Sequence, residues 1–309
     1  MKIGIQTGRT ADEIGYAETY RLFAEAGFEA IDWNLNNRLS GAIIRKGELD
    51  GNFYDRSIEE IFAAFEDELA QIRKNGLSIG QAHAPFPAYV PDKPWVLDRM
   101  IEIYKKNILF CHQVGCKYLV IHGISLEKND EFNTKESIRE LNDKLYTSLI
   151  PTLLGTDVTV CLENLFASMG GIALGVCSDP HEAADMIDTY NSIAGKECFG
   201  LCLDTGHLNL LRIDLRNYIP VLGKRIKVLH VHDNAGLTDQ HKAPYTGTVA
   251  WSSFCEELRK VGYSGDICFE TFMQTTLKVI DRKMLEPWLK LIYDIGCHFR
   301  SEIASDRCM

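Results

Sequence analysis

Short, unbroken apolar runs alternate along this chain with longer stretches in which apolar residues return every three or four positions. Eight of the runs read as strands: residues 2–5 (KIGI), 29–33 (EAIDW), 77–82 (LSIGQA), 117–123 (KYLVIHG), 158–164 (VTVCLEN), 199–204 (FGLCLD), 226–233 (IKVLHVHD) and 266–271 (DICFET). They are apolar throughout rather than at every second position, as strands covered on both faces are. The periodic stretches predict helices over 11–26, 57–75, 92–114, 134–150, 179–194, 214–223, 251–261 and 283–299. Boundary residues agree: Asp92 and the triplet Ser178-Asp179-Pro180 precede helices, and Gly27, Gly76, Gly115 and Gly262 follow them.

Eight such βα units predict an α/β fold, a closed (β/α)8 TIM barrel forming a single domain over residues 1–300, with 301–309 as a C-terminal tail. A doubly wound open sheet is the architectural alternative. Residues 34–56, rich in Asn, Gly and charge, read as a long βα loop of the kind that often serves as a lid. Composition changes this picture little: 309 residues, 46% hydrophobic and 25% charged, are those of an ordinary globular protein. The net charge of −10 speaks against a broad nucleic-acid or anionic-membrane surface. The first residues, MKIGIQTGRT, lack the apolar core of a secretory signal, and no apolar run approaches the ~18 residues of a membrane span. A cytoplasmic protein without a membrane partner is expected. Ten cysteines are scattered without a Cys-x-x-Cys pair, several inside apolar runs (Cys161, Cys202, Cys268), and read as small buried hydrophobes in a reducing compartment.

Chemistry in such a barrel sits at the carboxyl ends of the strands. Those ends carry His83, His122, Glu163, Asp204 with His207, His230 and His232 with Asp233, and Glu270; Asp239 and His241 follow in the loop after the seventh strand. Six of the nine histidines fall on this rim, while His112, His181 and His298 fall in or near helices. Each residue taken singly has a plain structural reading. Glu163 could organise a loop, Asp204 could cap the next helix, and His83 could be a satisfied core histidine. Carboxylates and imidazoles crowded on one rim, however, repel one another or remain undersolvated unless a cation neutralises them. Glu163, Asp204, His230 and Glu270 lie 41, 26 and 40 residues apart on four different strands and form the candidate metal quartet. Three carboxylates and an imidazole, without thiolates, suit Mn2+, Mg2+, Co2+ or Zn2+, and the extra histidines leave room for more than one ion. His230 and His232 both point to one side of their strand, so either can be the ligand. Trp33 and Phe86, at the ends of strands two and three, are candidate aromatic walls of a substrate pocket, with core packing as the alternative reading of each.

The set HAPF (83–86), VIHG (120–123), LENL (162–165), LDTGH (203–207), HVHDN (230–234), DQH (239–241) with PYTGTVAW (244–251), and FET (269–271) resembles the xylose-isomerase-like TIM-barrel superfamily, which holds sugar isomerases and epimerases and the endonuclease IV family. The resemblance covers nearly the whole chain. It implies a metal quartet at Glu163, Asp204, His230 and Glu270, a histidine like His207 on substrate oxygens, and a sugar, sugar phosphate or cyclic polyol as substrate. It further implies proton transfer through a metal-stabilised enediolate, with Glu163 and Glu270 as the two bases. His83, His122, His207, His232, Asp239 and His241 then line the substrate or hold additional metal. Barrels of this kind often pair through their helices, which makes a homo-oligomer a further expectation. Two rivals follow from the same resemblance. One is a metal-dependent dehydratase of inosose or dehydroshikimate type. The other is an endonuclease IV-like zinc phosphodiesterase acting on abasic DNA, for which His83, His122, Glu163, Asp204, His207, His230, Asp239, His241 and Glu270 match all nine ligands. Against the nuclease stand the PYTGTVAW phrase in place of a glycine-rich turn and the acidic balance of the chain.

Overall fold

Ile3–Gln6 (β1), Ala30–Asn34 (β2), Ser78–His83 (β3), Tyr118–Val120 (β4), Thr159–Glu163 (β5), Phe199–Asp204 (β8), Ile226–His230 (β9) and Ile267–Phe269 (β10) form one eight-stranded sheet in the order β10-β1-β2-β3-β4-β5-β8-β9. The two ends of that order meet: Val231 N donates to Cys268 O at 2.8 Å and Glu270 N to Val231 O at 3.1 Å. With parallel strands and helices between them, the fold is a (β/α)8 TIM barrel. This computed structural model describes residues 1–8, 10–125, 134–168 and 170–305. An antiparallel hairpin, Phe166–Ser168 (β6) with Ile172–Leu174 (β7), follows β5. The sequence pattern does not predict it, because each strand is three residues long and only Ala167 is buried.

The described chain divides into two compact units, one of Met1–Trp33, Glu68–Gly80 and Cys202–Met309, the other of Asn34–Asp67 and Gln81–Leu201. In the first, β1 pairs with β10 (Ile3 opposite Ile267, Ile5 opposite Phe269) and with β2 (Ile5 opposite Ile31, Gln6 opposite Asp32). The last helix, Arg282–Ala304, lies so close to this sheet that a Cβ at Gly296 would come within 2.5 Å of Ile3 Cγ2. That helix runs through residues 301–304, expected as tail, because Ile303 still has an apolar surface to bury. Residues 306–309 lie outside the described residues. The helix expected over 11–26 is two, Thr10–Ile14 and Tyr16–Ala26, broken where Gly15 takes φ 82°.

In the second unit, β3, β4 and β5 stand in register with His83 opposite Val120 and Val120 opposite Cys161. The helix Trp95–Val114 buries Val96, Met100, Ile103, Tyr104, Asn107, Ile108 and Cys111 along one face, and Gly115 ends it at φ 77°. It begins three residues later than Asp92 suggested, with Pro94 at its start. Asp179 does cap the helix Pro180–Ala194, accepting from the amides of His181 and Glu182. Residues 34–56 are not an open loop. They hold a helix, Gly41–Lys46, flanked by single turns, and Leu35, Leu39, Ile44, Leu49 and Tyr54 are buried. Lys106 pins the far end through hydrogen bonds to the carbonyls of Tyr54 and Arg56. All nine described cysteines are free thiols and eight of them are buried. No helix among the described residues is long and apolar enough to cross a membrane.

Candidate functional site

In the second unit, three consecutive strands deliver His83, His122 and Glu163. His83 Nε2 lies 3.0 Å from His122 Nε2, which lies 3.0 Å from Glu163 Oε2. His83 Nδ1 is 2.8 Å from the carbonyl of Ala84. A carbonyl only accepts, so that nitrogen carries the ring proton and Nε2 presents its lone pair to the other two groups. A metal-binding imidazole is held in this way. Phe86 covers the group, stacked on His122 at 4.3 Å between ring centroids and edge-on to His83 at 5.4 Å.

In the first unit, the run LDTGH works as a socket for His232. Asp204 closes β8 and caps the short helix Thr205–Leu210: its Oδ1 accepts the His207 amide at 2.7 Å, while its Oδ2 lies 2.9 Å from His232 Nε2. Asp204 thus caps the helix with one oxygen and meets an imidazole with the other. Thr205 clamps the His232 main chain, accepting from its amide at 3.0 Å and donating to its carbonyl at 2.8 Å. Gly206 leaves the space the ring occupies, since a Cβ there would sit 2.0 Å from His232 Cε1. His207 adds a second imidazole, 3.6 Å from Asp239 Oδ2.

Asp239 and His241 reach this group on a loop strapped to the end of β9. Asp233, wholly buried, exchanges main-chain hydrogen bonds with Lys242. Its carboxylate accepts from the amides of Gly247 and Val249 and from the Trp251 indole at 3.0–3.1 Å. The loop turns through left-handed backbone at His241 (φ 46°) and Tyr245 (φ 69°), conformations costly for residues with a side chain. His241 Nδ1 lies 3.0 Å from the carbonyl of Glu270 and its Nε2 lies 2.9 Å from Asp239 Oδ2, so each ring nitrogen faces an oxygen. Burial opposes ionisation of Asp239, but pairing with His207 and His241 prevails and holds its carboxyl far below the usual range. The His232 and His241 rings stack at 4.0 Å between centroids.

The other histidine of the pair, His230, belongs to a different carboxylate set. Its Nε2 is 3.1 Å from Asp32 Oδ2 and 3.6 Å from Glu270 Oε1. Asp32 and Gln6, whose amide donates to Glu270 Oε1, join this group although neither is a charged or imidazole side chain ending an apolar run, as the other rim residues are. The signal was available for Asp32, an acid inside the apolar run EAIDW. Trp33, the candidate pocket wall, is on the alternate face of β2. It is buried and donates its indole N–H to Glu68 Oε1 at 2.9 Å, beside the Tyr20 hydroxyl on the same oxygen.

Among the described residues, four clusters that lie within a single unit have ligand atoms close enough for a shared ion: His83/His122/Glu163 in one unit, and Asp204/His207/His232, His232/His241/Glu270 and Asp32/His230/Glu270 in the other. The donors fit a divalent cation. Ligand atoms about 2.1 Å from one ion lie roughly 3 to 4 Å apart across its coordination sphere, and the separations above span 2.9–3.9 Å. His232 Nδ1 and Asp239 Oδ1 are 3.9 Å apart, and each is buried without a hydrogen-bond partner, as two ligand atoms facing one ion are.

Barrel, register and rim clusters together define a family. The chain belongs to the xylose isomerase-like TIM barrel family, whose model matches residues 20–297. Among curated proteins, an uncharacterised protein of Sinorhizobium fredii is 24% identical over 270 residues, 84% of this chain and 82% of that one. A probable endonuclease 4 of Mycoplasmopsis agalactiae is 27% identical over 173 residues, 52% of this chain and 55% of that one. A ketose 3-epimerase of Arthrobacter globiformis is 29% identical over 103 residues, 32% and 34% of the two chains. Among solved structures, a D-psicose 3-epimerase from Clostridium cellulolyticum H10, determined with D-tagatose, superposes with a TM-score of 0.67 at 17% identity, over 97% of this chain and 99% of that one.

Proposed function

We propose that the protein is a divalent-metal-dependent isomerase or epimerase of a sugar or sugar phosphate. The reading rests on two buried glutamates, Glu163 at the end of β5 and Glu270 just after β10. Each has a carboxylate oxygen near imidazole nitrogens, at 3.0 and 3.7 Å for Glu163 and 3.6 Å for Glu270. The ketose 3-epimerase relative and the epimerase-like fold support it. By the family resemblance, Glu163, Asp204, His230 and Glu270 are the residues that would hold the working ion. His207, His232, Asp239 and His241 would hold a second ion or line the substrate, with His83, His122 and Phe86. A bound divalent ion polarises a carbonyl oxygen and acidifies the neighbouring C–H bond. One glutamate takes that proton and the other returns one, and His207 orients a substrate hydroxyl. The acidic chain suits a neutral sugar; a phosphate would need a cationic partner.

The test is solvent exchange. Incubation with D-fructose, D-tagatose and a cyclic polyol in deuterium oxide, with Mn2+, Co2+ or Zn2+ present, is expected to place deuterium beside the carbonyl. EDTA abolishes the exchange and added metal restores it. Glu163→Gln and Glu270→Gln each lower the rate by at least about 10²–10⁴ while the fold persists. Near-wild-type exchange in either variant removes the two-base scheme. Loss of water from the polyol instead marks the dehydratase chemistry.

A second reading has its own support: imidazole–carboxylate clusters beyond the four principal ligands, together with the endonuclease 4 relatives. Three bound zinc ions per chain and cleavage of an abasic-site oligonucleotide would favour a phosphodiesterase over the sugar enzyme.

A further inference from the structure

The register of the sheet sets three polar residues on one rung. Gln6 stands opposite Asp32 across β1 and β2, and Ile5 opposite Phe269 brings Gln6 level with Glu270 on the other side. Side chains on one rung of neighbouring strands point to the same face. Asp32 is wholly buried, and Gln6 and Glu270 are 4% exposed. A buried amide and a buried carboxylate at these positions cost free energy that an apolar residue would not, so packing alone does not account for them. Each instead engages one of the functional side chains. The Gln6 Nε2–H donates to Glu270 Oε1. Asp32 Oδ2 lies 3.1 Å from His230 Nε2.

We propose that Gln6 and Asp32 are positioning residues that set the orientation of Glu270 and His230. The proposal deepens the metal-dependent reading above and rests on it. The Gln6 amide on Oε1 sets which way the Glu270 carboxylate faces, with Oε2 3.6 Å from His241 Nδ1. With Asp32 Oδ2 3.1 Å from Nε2, the buried His230 ring has a carboxylate neighbour fixed by the register of β1 and β2. The amide assignment of Gln6 follows from chemistry: an ionised carboxylate accepts only, so the nitrogen must face it.

The experiment is a Co2+ titration of the metal-stripped full chain, read by calorimetry and by the visible Co2+ spectrum, with thermal melts of each variant. Wild type is expected to bind Co2+. Asp32→Asn and Gln6→Met are expected to weaken binding about 10–100-fold, the usual cost of losing a group that orients a ligand, and to alter the visible band. Asp32→Glu and Gln6→Asn, which retain a carboxylate and an amide, serve where the first variants fail to melt cooperatively; Asp32→Glu recovers part of the affinity. Wild-type affinity and an unchanged band in Asp32→Asn and Gln6→Met overturn this inference and leave the metal reading standing. Absence of Co2+ binding by wild type overturns both.

Discussion

Gly206 shows how narrowly one side chain is placed. The space that would hold its methyl is taken by the His232 ring, and the flanking Asp204 and Thr205 hold that ring and its main chain. Gly206→Ala therefore cannot be absorbed by a small relaxation, because a Cβ 2.0 Å from Cε1 forces the imidazole or the helix start to move. The substitution is expected to weaken divalent-metal binding by about 10–100-fold, measured calorimetrically on protein that still melts cooperatively. Unchanged affinity would mean that His232 contributes nothing to metal. The same geometry separates the two histidines of HVHDN. His232 answers to Asp204, and His230 answers to Asp32.

The loop after β9 depends on one carboxylate. Asp233 supplies acceptors to Gly247, Val249 and Trp251, and its main chain is bridged to Lys242. Asp233→Ala leaves those buried donors unmatched at about 1–3 kcal/mol each. Amide exchange at Gly247 and Val249 is expected to rise by at least about 10²-fold, corresponding to roughly 2.7 kcal/mol, and Asp239 and His241 lose their fixed presentation. Wild-type protection at both amides would show that the loop is held by something else. This hub was not legible in the sequence, because its partners lie 14, 16 and 18 residues away in a segment without periodicity. The strands were legible, since burial on both faces leaves an unbroken apolar run, as in FGLCLD. So were the residues ending them, because a charge or imidazole closing such a run stands out. Asp32 and Gln6 escaped notice because their meaning lies in which strand is neighbour to which, and that is a property of register rather than of any local pattern.

At the scale of the whole molecule, the sheet buries thiols as readily as it buries valine. Cys161, Cys202 and Cys268 lie within strands, and burial pushes the Cys268 thiol far above its ordinary range. Cys297 alone among the nine described cysteines is partly exposed. This gives the protein a built-in clock. With Cys308 replaced by serine, a maleimide dye is expected to modify the native protein once, at Cys297, and to reach the other eight sulfurs only as fast as the barrel opens. Mass spectrometry of timed aliquots would then follow the opening of the three strands that carry Cys161, Cys202 and Cys268, and rapid modification of Cys161 or Cys268 under native conditions would contradict their enclosure.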